Sequence, residues 1–263
     1  MITPRVAWID DTAAALLTAE RDRIPVPALS EQRPVLRLAD AYQIQAAGIA
    51  HRIAKGARII GHKAGVTSKA MQEQMGVDEP DSGVLLDDML LRDGATLALG
   101  GLLQPRIEAE IAFRLGRDLS GPQVTLADVR GAVSAVCLAL EVIDTRYPSW
   151  RITVADSIAD NASCARVVAG PALPYDPAVD LCAERLVVSV DGVQAAAGEG
   201  RAVLGDPLRP LVWLAHRLAE GGTGLKAGEL VLAGSVHASL PLPAAATVRV
   251  DSPHLPPVTL RTC

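Results

Sequence analysis

The spacing of hydrophobic and polar positions changes near residue 57. Before that point, residues 5–23 and 38–55 carry apolar side chains at helical spacing among good helix formers, with three prolines in the interval between them. Beyond it, short apolar or alternating runs are bounded by turn residues, which is typical of strands. We therefore predict a helical N-terminal annex over residues 1–56 and a β-rich domain over residues 57–263.

Within the β-rich domain, two segments have the signals of helices. Thr125 precedes one at 125–136 as a candidate cap, with Asp128 at the third helical position, and Asp206 precedes another at 207–220. The predicted strands lie at 58–63, 83–86, 106–115, 138–144, 166–169, 186–190, 230–233, 247–250 and 258–260. The predicted class is a mixed α+β fold.

Composition and charge exclude several classes of protein. A chain of 263 residues with 49% hydrophobic residues and a net charge of -5 can bury a large core, and it has no basic run for a nucleic-acid backbone. The uncharged stretch 230–248 contains Pro241 and Pro243, so it is interpreted as strands and turns and not as a membrane span. Four scattered cysteines and the absence of an export signal favour the cytoplasm.

Three glutamates form the first candidate site. In a strand over 106–113, Glu108 and Glu110 lie on one face, roughly 7 Å apart. That spacing alone also fits a half-buried strand with a solvated polar face. Glu141, however, is the one charged residue in the apolar run 135–143, and a carboxylate in a core strand is costly unless it is paired or binds a metal. Three carboxylates favour a hard cation, Mg²⁺ or Mn²⁺.

Three further segments hold polar residues whose simplest interpretation is structural. Lys63 ends an apolar strand and is followed by Gly65, so its side chain either enters a cleft or extends along the surface. Asp81 lies between Pro80 and Ser82, in a setting typical of a turn. The segment 156–164 is rich in capping residues and fits a loop. None of these segments alone identifies a function.

Taken together, the segments resemble the 2-hydroxypentadienoate (2-oxopent-4-enoate) hydratases and 4-oxalocrotonate decarboxylases of aromatic meta-cleavage pathways, within the fumarylacetoacetate hydrolase superfamily. The resemblance covers about residues 41–233. It depends on six motifs in the family's order: G-H-K-A-G-V-T-S, G-V-D-E-P-D-S-G, Q-P-R-I-E-A-E-I-A-F, A-L-E-V-I-D-T-R, I-A-D-N-A-S-C and A-V-L-G-D-P-L-R-P-L-V-W-L-A. It implies a mixed β-sandwich or roll of the fumarylacetoacetate hydrolase C-terminal-domain type.

The resemblance also implies a site and a reaction. It assigns the divalent metal to Glu108, Glu110 and Glu141, the same three residues that the strand pattern indicates, and it places Lys63, Asp81 and Ser163 around the substrate. The implied activity is a metal-dependent hydro-lyase that adds water to 2-hydroxypenta-2,4-dienoate to give 4-hydroxy-2-oxopentanoate. A homo-oligomer is expected, and association with a related decarboxylase or hydratase or with a downstream aldolase is consistent with the family.

Three alternatives stay open. A 4-oxalocrotonate (2-oxo-3-hexenedioate) decarboxylase would use the same metal ligands, and a cationic pocket for a second carboxylate would favour it. A C–C hydrolase acting on acylpyruvates would need a His–Glu pair to activate water, and His62 next to Lys63 points to the opposite strand face. A non-catalytic partner subunit would keep the fold without turnover. No nucleotide-binding motif is present.

Overall fold

Three α-helices precede the first strand in the described part of the chain. The computed structural model describes residues 4–263, the side chains of residues 4–6, 70 and 74 excepted, so residues 1–3 of the predicted annex lie outside the described residues. The α-helices of the described chain are α1 (Pro4–Asp22), α2 (Leu29–Gln32), α3 (Leu38–Ala54), α4 (Lys69–Met75), α5 (Leu126–Ala132), α6 (Val154–Ala159) and α7 (Arg209–Glu220).

The strands are short, and several consist of two residues. They are β1 (Ile59–Gly65), β2 (Asp81–Leu86), β3 (Leu90–Leu91), β4 (Thr96–Leu97), β5 (Arg106–Leu115), β6 (Leu119–Ser120), β7 (Val133–Ile143), β8 (Cys164–Ala169), β9 (Leu173–Pro174), β10 (Arg185–Val190), β11 (Val193–Glu199), β12 (Gly224–Leu225), β13 (Leu230–Ser235), β14 (Leu240–Pro241), β15 (Thr247–Asp251) and β16 (Val258–Thr262). This mixture of helices and strands confirms the predicted α+β class.

The strands of the described chain form two main sheets. The larger has the order β2-β1-β13-β5-β7-β8-β3, with β14 also paired to β5 and β9 to β7. The smaller has the order β11-β10-β15-β16-β4, and β12 pairs with β6 separately. The long antiparallel pair β5–β7 runs through the middle of the larger sheet, so side chains on these two strands have neighbours on both sides.

The main core lies between the two sheets. Ile107, Ile111 and Phe113 on one face of β5 are at most 1% exposed and belong to the same cluster as Leu186 and Val248 of the smaller sheet. Since side chains alternate along a strand, the even-numbered residues of β5 face the other way. That second face packs partly against α3 and, near one end, carries the predicted site.

The helix and strand predictions are largely confirmed, but both helices predicted within the β-rich domain have different bounds. The helix predicted at 125–136 ends at Ala132, because the apolar run that follows forms β7 and pairs with β5 along its length. The helix predicted from 207 begins at Arg209; Asp206 instead accepts a hydrogen bond from the Leu208 amide at 2.9 Å. Among the described residues, no helix is both long and apolar enough to cross a bilayer.

Candidate metal centre and active site

The three predicted metal ligands converge on one face of the larger sheet. Glu108 and Glu110 lie on β5, and the pairing register of β5 with β7 sets Glu108 directly opposite Glu141. One carboxylate oxygen from each residue lies within 4.8 Å of the others. Strand alternation brings the first two together and cross-strand pairing adds the third.

Three carboxylate oxygens of this cluster have no hydrogen-bond donor in the described chain. Oε1 of Glu110 and both oxygens of Glu141 are buried and accept no hydrogen bond from any described residue. The other Glu110 oxygen, Oε2, accepts a bond from the Gly234 amide at 2.7 Å, which orients the carboxylate. Buried oxygens without partners are expensive, and a divalent cation with a preference for oxygen would satisfy them. The residues therefore fit a Mg²⁺ or Mn²⁺ site.

The acid–base behaviour of the cluster agrees with this interpretation. Loss of hydration raises the pKa of Glu108 to about 7, with the charges of Glu141 and Asp81 adding to the shift and Lys63 opposing it. Burial, reinforced by Glu141 and Glu108, raises the pKa of Glu110 well above its usual range. Like charges in a dry site resist ionisation together, and a bound cation removes that conflict.

Lys63 supplies the positive charge on the same face. Its Nζ lies 3.6 Å from Glu141 Oε1, and the side chain is 5% exposed. Burial lowers the pKa of Lys63, but the charges of Glu141, Asp81 and Glu108 outweigh it, so the net pKa is raised above the usual value. Lys63 is thus held as a cation beside the cluster.

Asp81, at the start of β2, faces the same region. Its Oδ2 accepts a hydrogen bond from the Ser157 hydroxyl at 3.2 Å, while Oδ1 is buried without a partner among the described residues. Burial raises the pKa of Asp81, whereas Lys63 and the Ser157 hydroxyl lower it. Gly65 leaves the room for this carboxylate, because a Cβ at that position would lie 2.2 Å from Asp81 Oδ1.

Ser163 ends a tight turn in which three successive residues are left-handed. Asn161, Ala162 and Ser163 have φ of 54°, 50° and 58°, which is uncommon outside glycine. The Asn161 amide holds this turn against β2, since Nδ2 donates to the Val84 carbonyl and Oδ1 accepts from the Val84 amide. The Ser163 hydroxyl oxygen is buried and has no partner in the described chain.

The turn lies next to the cluster. A Cβ at Gly83 would come within 3.2 Å of Lys63 Cγ and 3.3 Å of Ala162 Cβ, so the turn and the lysine pack over the same glycine. The Asp144 amide donates to the Ser163 carbonyl at 2.8 Å, which ties the turn to the strand of Glu141. The structure therefore brings Lys63 and Asp81 together with the three glutamates and places the turn that contains Ser163 against Gly83, beside Lys63. The individual roles of these residues stay predictions.

Several supporting residues were not found from the sequence. Ser157 lies on α6, in a segment interpreted as a loop; Thr153 and Asp156 form a capping box there, and the T-x-x-D spacing could have revealed the helix. Gln45 on α3 donates to the carbonyls of Ser82 and Ile158, which links the helical annex to both β2 and α6.

The His–Glu pair expected of a C–C hydrolase is displaced from this site. His62 Nδ1 lies 3.3 Å from Glu229 Oε2, but His62 precedes Lys63 in β1 and so points to the opposite face of the sheet. Water activation by this pair at the glutamate cluster is therefore not supported by the geometry.

A buried carboxylate cluster with a lysine on this two-sheet fold defines a class of metal-dependent enzyme. Residues 58–261 match the family model described as fumarylacetoacetate (FAA) hydrolase C-terminal. The chain belongs to this family.

Similarity to particular members is extensive. The chain is 41% identical to a 2-hydroxyhexa-2,4-dienoate hydratase from Comamonas testosteroni over 93% of this chain and 92% of that protein. It is 41% identical to a 2-keto-4-pentenoate hydratase from Paraburkholderia xenovorans over 86% and 84% of the two chains. A solved 4-oxalocrotonate decarboxylase from Pseudomonas putida G7, complexed with magnesium and adipate, superposes with a TM-score of 0.94 at 32% identity over 98% of each chain.

Proposed function

We propose that this protein is a metal-dependent hydratase that adds water to 2-hydroxypenta-2,4-dienoate (2-oxopent-4-enoate) to give 4-hydroxy-2-oxopentanoate. The observation that carries the proposal is the convergence of Glu108, Glu110 and Glu141 with Lys63, on a chain 41% identical to proteins named as hydratases of such substrates. Mg²⁺ or Mn²⁺ held by the three glutamates would supply a Lewis acid that polarises the carbonyl group of a 2-oxo acid.

Lys63, Asp81 and Ser163 are suited to different parts of substrate binding and proton transfer. Lys63, held as a cation, is suited to bind the substrate carboxylate or the oxygen at C2. Asp81 has one oxygen fixed by Ser157 and one unpartnered, so it can hold a proton and pass it on without losing its orientation. The Ser163 hydroxyl is free to donate to a substrate oxygen.

The balance of the reaction assigns two proton transfers. The 2-hydroxyl proton is lost and a proton is added at C5, which converts the dienol to 2-oxopent-3-enoate. Water then adds across the remaining double bond, its hydroxyl to C4 and its proton to C3. Asp81 is our candidate for a transfer in this sequence, because it lies beside Lys63 with one oxygen that accepts no hydrogen bond, and burial raises its pKa.

The decarboxylase is the second candidate, and the observation that favours it is the superposition on the magnesium and adipate complex of 4-oxalocrotonate decarboxylase. A decarboxylase would remove CO₂ from 2-oxohex-3-enedioate with the same residues. We favour the hydratase because the relatives so named are more similar in sequence, 41% against 32%.

The proposal extends to the setting of the enzyme. We propose a cytoplasmic homo-oligomer acting in the meta-cleavage breakdown of aromatic compounds, with the helices of residues 1–56 as an annex to a catalytic domain over 57–263. The cytoplasm is supported by the four cysteines, which form no disulfide in the described chain.

The test is a direct assay of both substrates. Purified protein with Mg²⁺ should consume freshly generated 2-hydroxypenta-2,4-dienoate, seen as loss of dienol absorbance, and yield 4-hydroxy-2-oxopentanoate, with no turnover in chelator. Glu108→Gln should abolish this turnover, and the surface variant Glu199→Gln should keep it. Release of CO₂ from 2-oxohex-3-enedioate alone would replace the hydratase by the decarboxylase, and silence on both substrates would favour a non-catalytic partner subunit.

A further inference from the structure

β5, the strand that carries Glu108 and Glu110, is paired irregularly along one of its edges. β13 pairs with β5 regularly from Leu230 opposite Arg114 to Leu232 opposite Ala112, and after one extra residue Ser235 lies opposite Glu110. The next backbone pairing is Leu240 of β14 with Ile107. Residues 236–239, here named the bypass segment, therefore leave the ladder beside Glu108 and Ala109.

A side chain replaces the missing ladder bond. The Ala109 amide, on a residue with no exposed surface, donates to Nε2 of His237 at 3.1 Å, and the Ala109 carbonyl accepts from the Val236 amide at 3.2 Å. Nδ1 of His237 lies 2.7 Å from the Ala238 carbonyl. A carbonyl can only accept, so Nδ1 carries the proton and Nε2 is the acceptor.

Ala109 lies between the two glutamates of β5, so any displacement of its backbone moves both carboxylates. The bypass segment has a second attachment to β5 through Arg106, whose Nε donates to the Ser239 hydroxyl at 2.7 Å. The other edge of β5 is paired to β7 from Arg106 to Leu115, which keeps the strand in the sheet without the imidazole. His237 is therefore expected to set the local backbone conformation of β5, whereas the pairing with β7 keeps β5 in the sheet.

We propose that His237 is a positioning residue for the metal centre: by accepting the Ala109 amide it fixes the stretch of β5 on which Glu108 and Glu110 converge with Glu141. This inference rests on the proposed function only in that it requires the glutamates to bind a cation. In the described chain the His237 ring bonds only backbone groups, so it acts on the carboxylates through the backbone between them. Residues that orient metal ligands from outside the coordination shell commonly set the affinity of the site.

The test measures Mn²⁺ affinity of metal-stripped protein by calorimetric titration and electron paramagnetic resonance, with no substrate present. A glutamine amide reaches about as far as Nε2 and can accept the same bond, whereas an asparagine amide reaches only as far as Nδ1. We expect His237→Ala and His237→Asn to weaken Mn²⁺ binding about 10- to 100-fold, the range typical of outer-shell partners. His237→Gln should bind close to the wild-type value.

His216→Ala is the matched control, because His216 on α7 also bonds a backbone group, the Val124 carbonyl at 2.8 Å. Neither His216 nor Val124 lies on β5 or β7, the strands that carry the glutamates. Unchanged Mn²⁺ affinity in His237→Ala, or equal losses in His237→Gln and His237→Asn, would overturn the inference while leaving the metal site intact. If His237→Ala fails to fold, the Gln and Asn pair decides. Wild-type protein that binds no Mn²⁺ would overturn the proposed metal site and this inference together.

Discussion

Two groups of buried carboxylates can be compared in this molecule, and they are equally hidden from solvent. Glu110 and Glu141 are 1% and 0% exposed, and Asp156 and Glu184 are 0% and 1% exposed. Asp156 nevertheless accepts bonds from Ser30 and Thr153 through both backbone amides and both hydroxyls. Glu110 and Glu141 together keep three oxygens that accept no hydrogen bond in the described chain, and Lys63 is 3.6 Å from one of them.

Burial alone therefore does not separate structural from functional carboxylates, whereas hydrogen bonding does. A satisfied carboxylate such as Asp156 joins segments distant in sequence, here α2 and α6, and hydrogen-bond donors already in the fold stabilise it. An unsatisfied cluster lowers the free energy of unfolding of the metal-free protein, and a bound cation raises it again. Substitution in the unsatisfied cluster should therefore weaken metal binding and stabilise the metal-free protein. Substitution at a satisfied buried carboxylate should destabilise the protein.

The largest effect is expected at the unsatisfied group. Glu110→Gln keeps an acceptor for the Gly234 amide but removes a ligand charge, so we expect at least about a 1,000-fold loss of metal-dependent turnover, the scale of losing a main electrostatic element. Because the pKa of Glu110 is raised in the fold, ionisation destabilises the folded state as pH rises; the metal-free variant should unfold at a higher temperature than the metal-free wild type near pH 8. A less stable variant would contradict the comparison.

The opposite response is expected from a satisfied buried pair. Arg146 binds Asp160 through an ion pair and donates to its carbonyl at 2.8 Å, with both side chains at most 5% exposed. Arg146→Ala leaves Asp160 buried without its cation and should lower the free energy of unfolding by about 3–5 kcal/mol. Denaturant titration measures this loss. Arg21→Ala, which breaks an exposed pair with Asp22, is the control and should change little.

Cation binding should stabilise the wild type. At a Mg²⁺ concentration about 100 times Kd, linkage predicts about 2.7 kcal/mol, which corresponds to about 5–10 °C in Tm for a chain of this size. Thermal scans with Mg²⁺ and with chelator measure the shift. The same shift in Glu110→Gln would show that Mg²⁺ binds elsewhere.

The affinity for Mg²⁺ should depend on pH with a definite sign. The pKa of Glu108 is raised to about 7 and the pKa of Glu110 is raised well above its usual range, so both hold protons in the metal-free protein at lower pH. Binding must displace these protons, and affinity should rise with pH through 7 by up to about tenfold per unit for each proton released. Calorimetry at several pH values, in buffers of different ionisation enthalpy, measures both the change in Mg²⁺ affinity and the number of protons released. An affinity that does not change with pH would mean that the carboxylates are already ionised in the metal-free protein.

The smallest effect should come from Ser157. Its hydroxyl holds Asp81 Oδ2 and lowers the pKa of Asp81, so Ser157→Ala should raise that pKa and shift the acidic limb of the kcat/KM profile to higher pH. Loss of one hydrogen bond of about 1 kcal/mol predicts about a fivefold fall in kcat/KM at low pH. Ser157→Thr, which keeps the hydroxyl, should restore the profile, and an unshifted limb in Ser157→Ala would remove Asp81 from the pH-dependent step.

The glutamate pair was predictable because strand alternation is a local rule, and Glu141 was found because a charge in an apolar run is visible in the sequence. The register that sets Glu108 opposite Glu141 was not, since it depends on the long-range pairing of β5 with β7. The same pairing overrode the helical pattern after Ala132, where the apolar run from Val133 suits either a helix or a strand.

The parts missed from the sequence share a physical cause: they depend on contacts between distant segments. The left-handed turn at 161–163 contains no glycine and persists because Asn161 bonds to Val84 and Arg146 to Asp160. β11 is rich in alanine and glycine, which gives little strand signal, and it forms by pairing with β10.

The most direct test of the central claim is the stoichiometry of Mn²⁺ binding to metal-stripped wild type and to Glu141→Gln, measured by electron paramagnetic resonance. Glu199→Gln is the matched control, at a glutamate whose side chain is 42% exposed and pairs with Arg201 at the surface. We predict one Mn²⁺ per chain in the wild type and the control, and at least about a 100-fold loss of affinity in Glu141→Gln, since a direct ligand should matter more than the outer-shell partners that cost 10- to 100-fold. Undiminished binding in Glu141→Gln would contradict the assignment of the metal to the three glutamates.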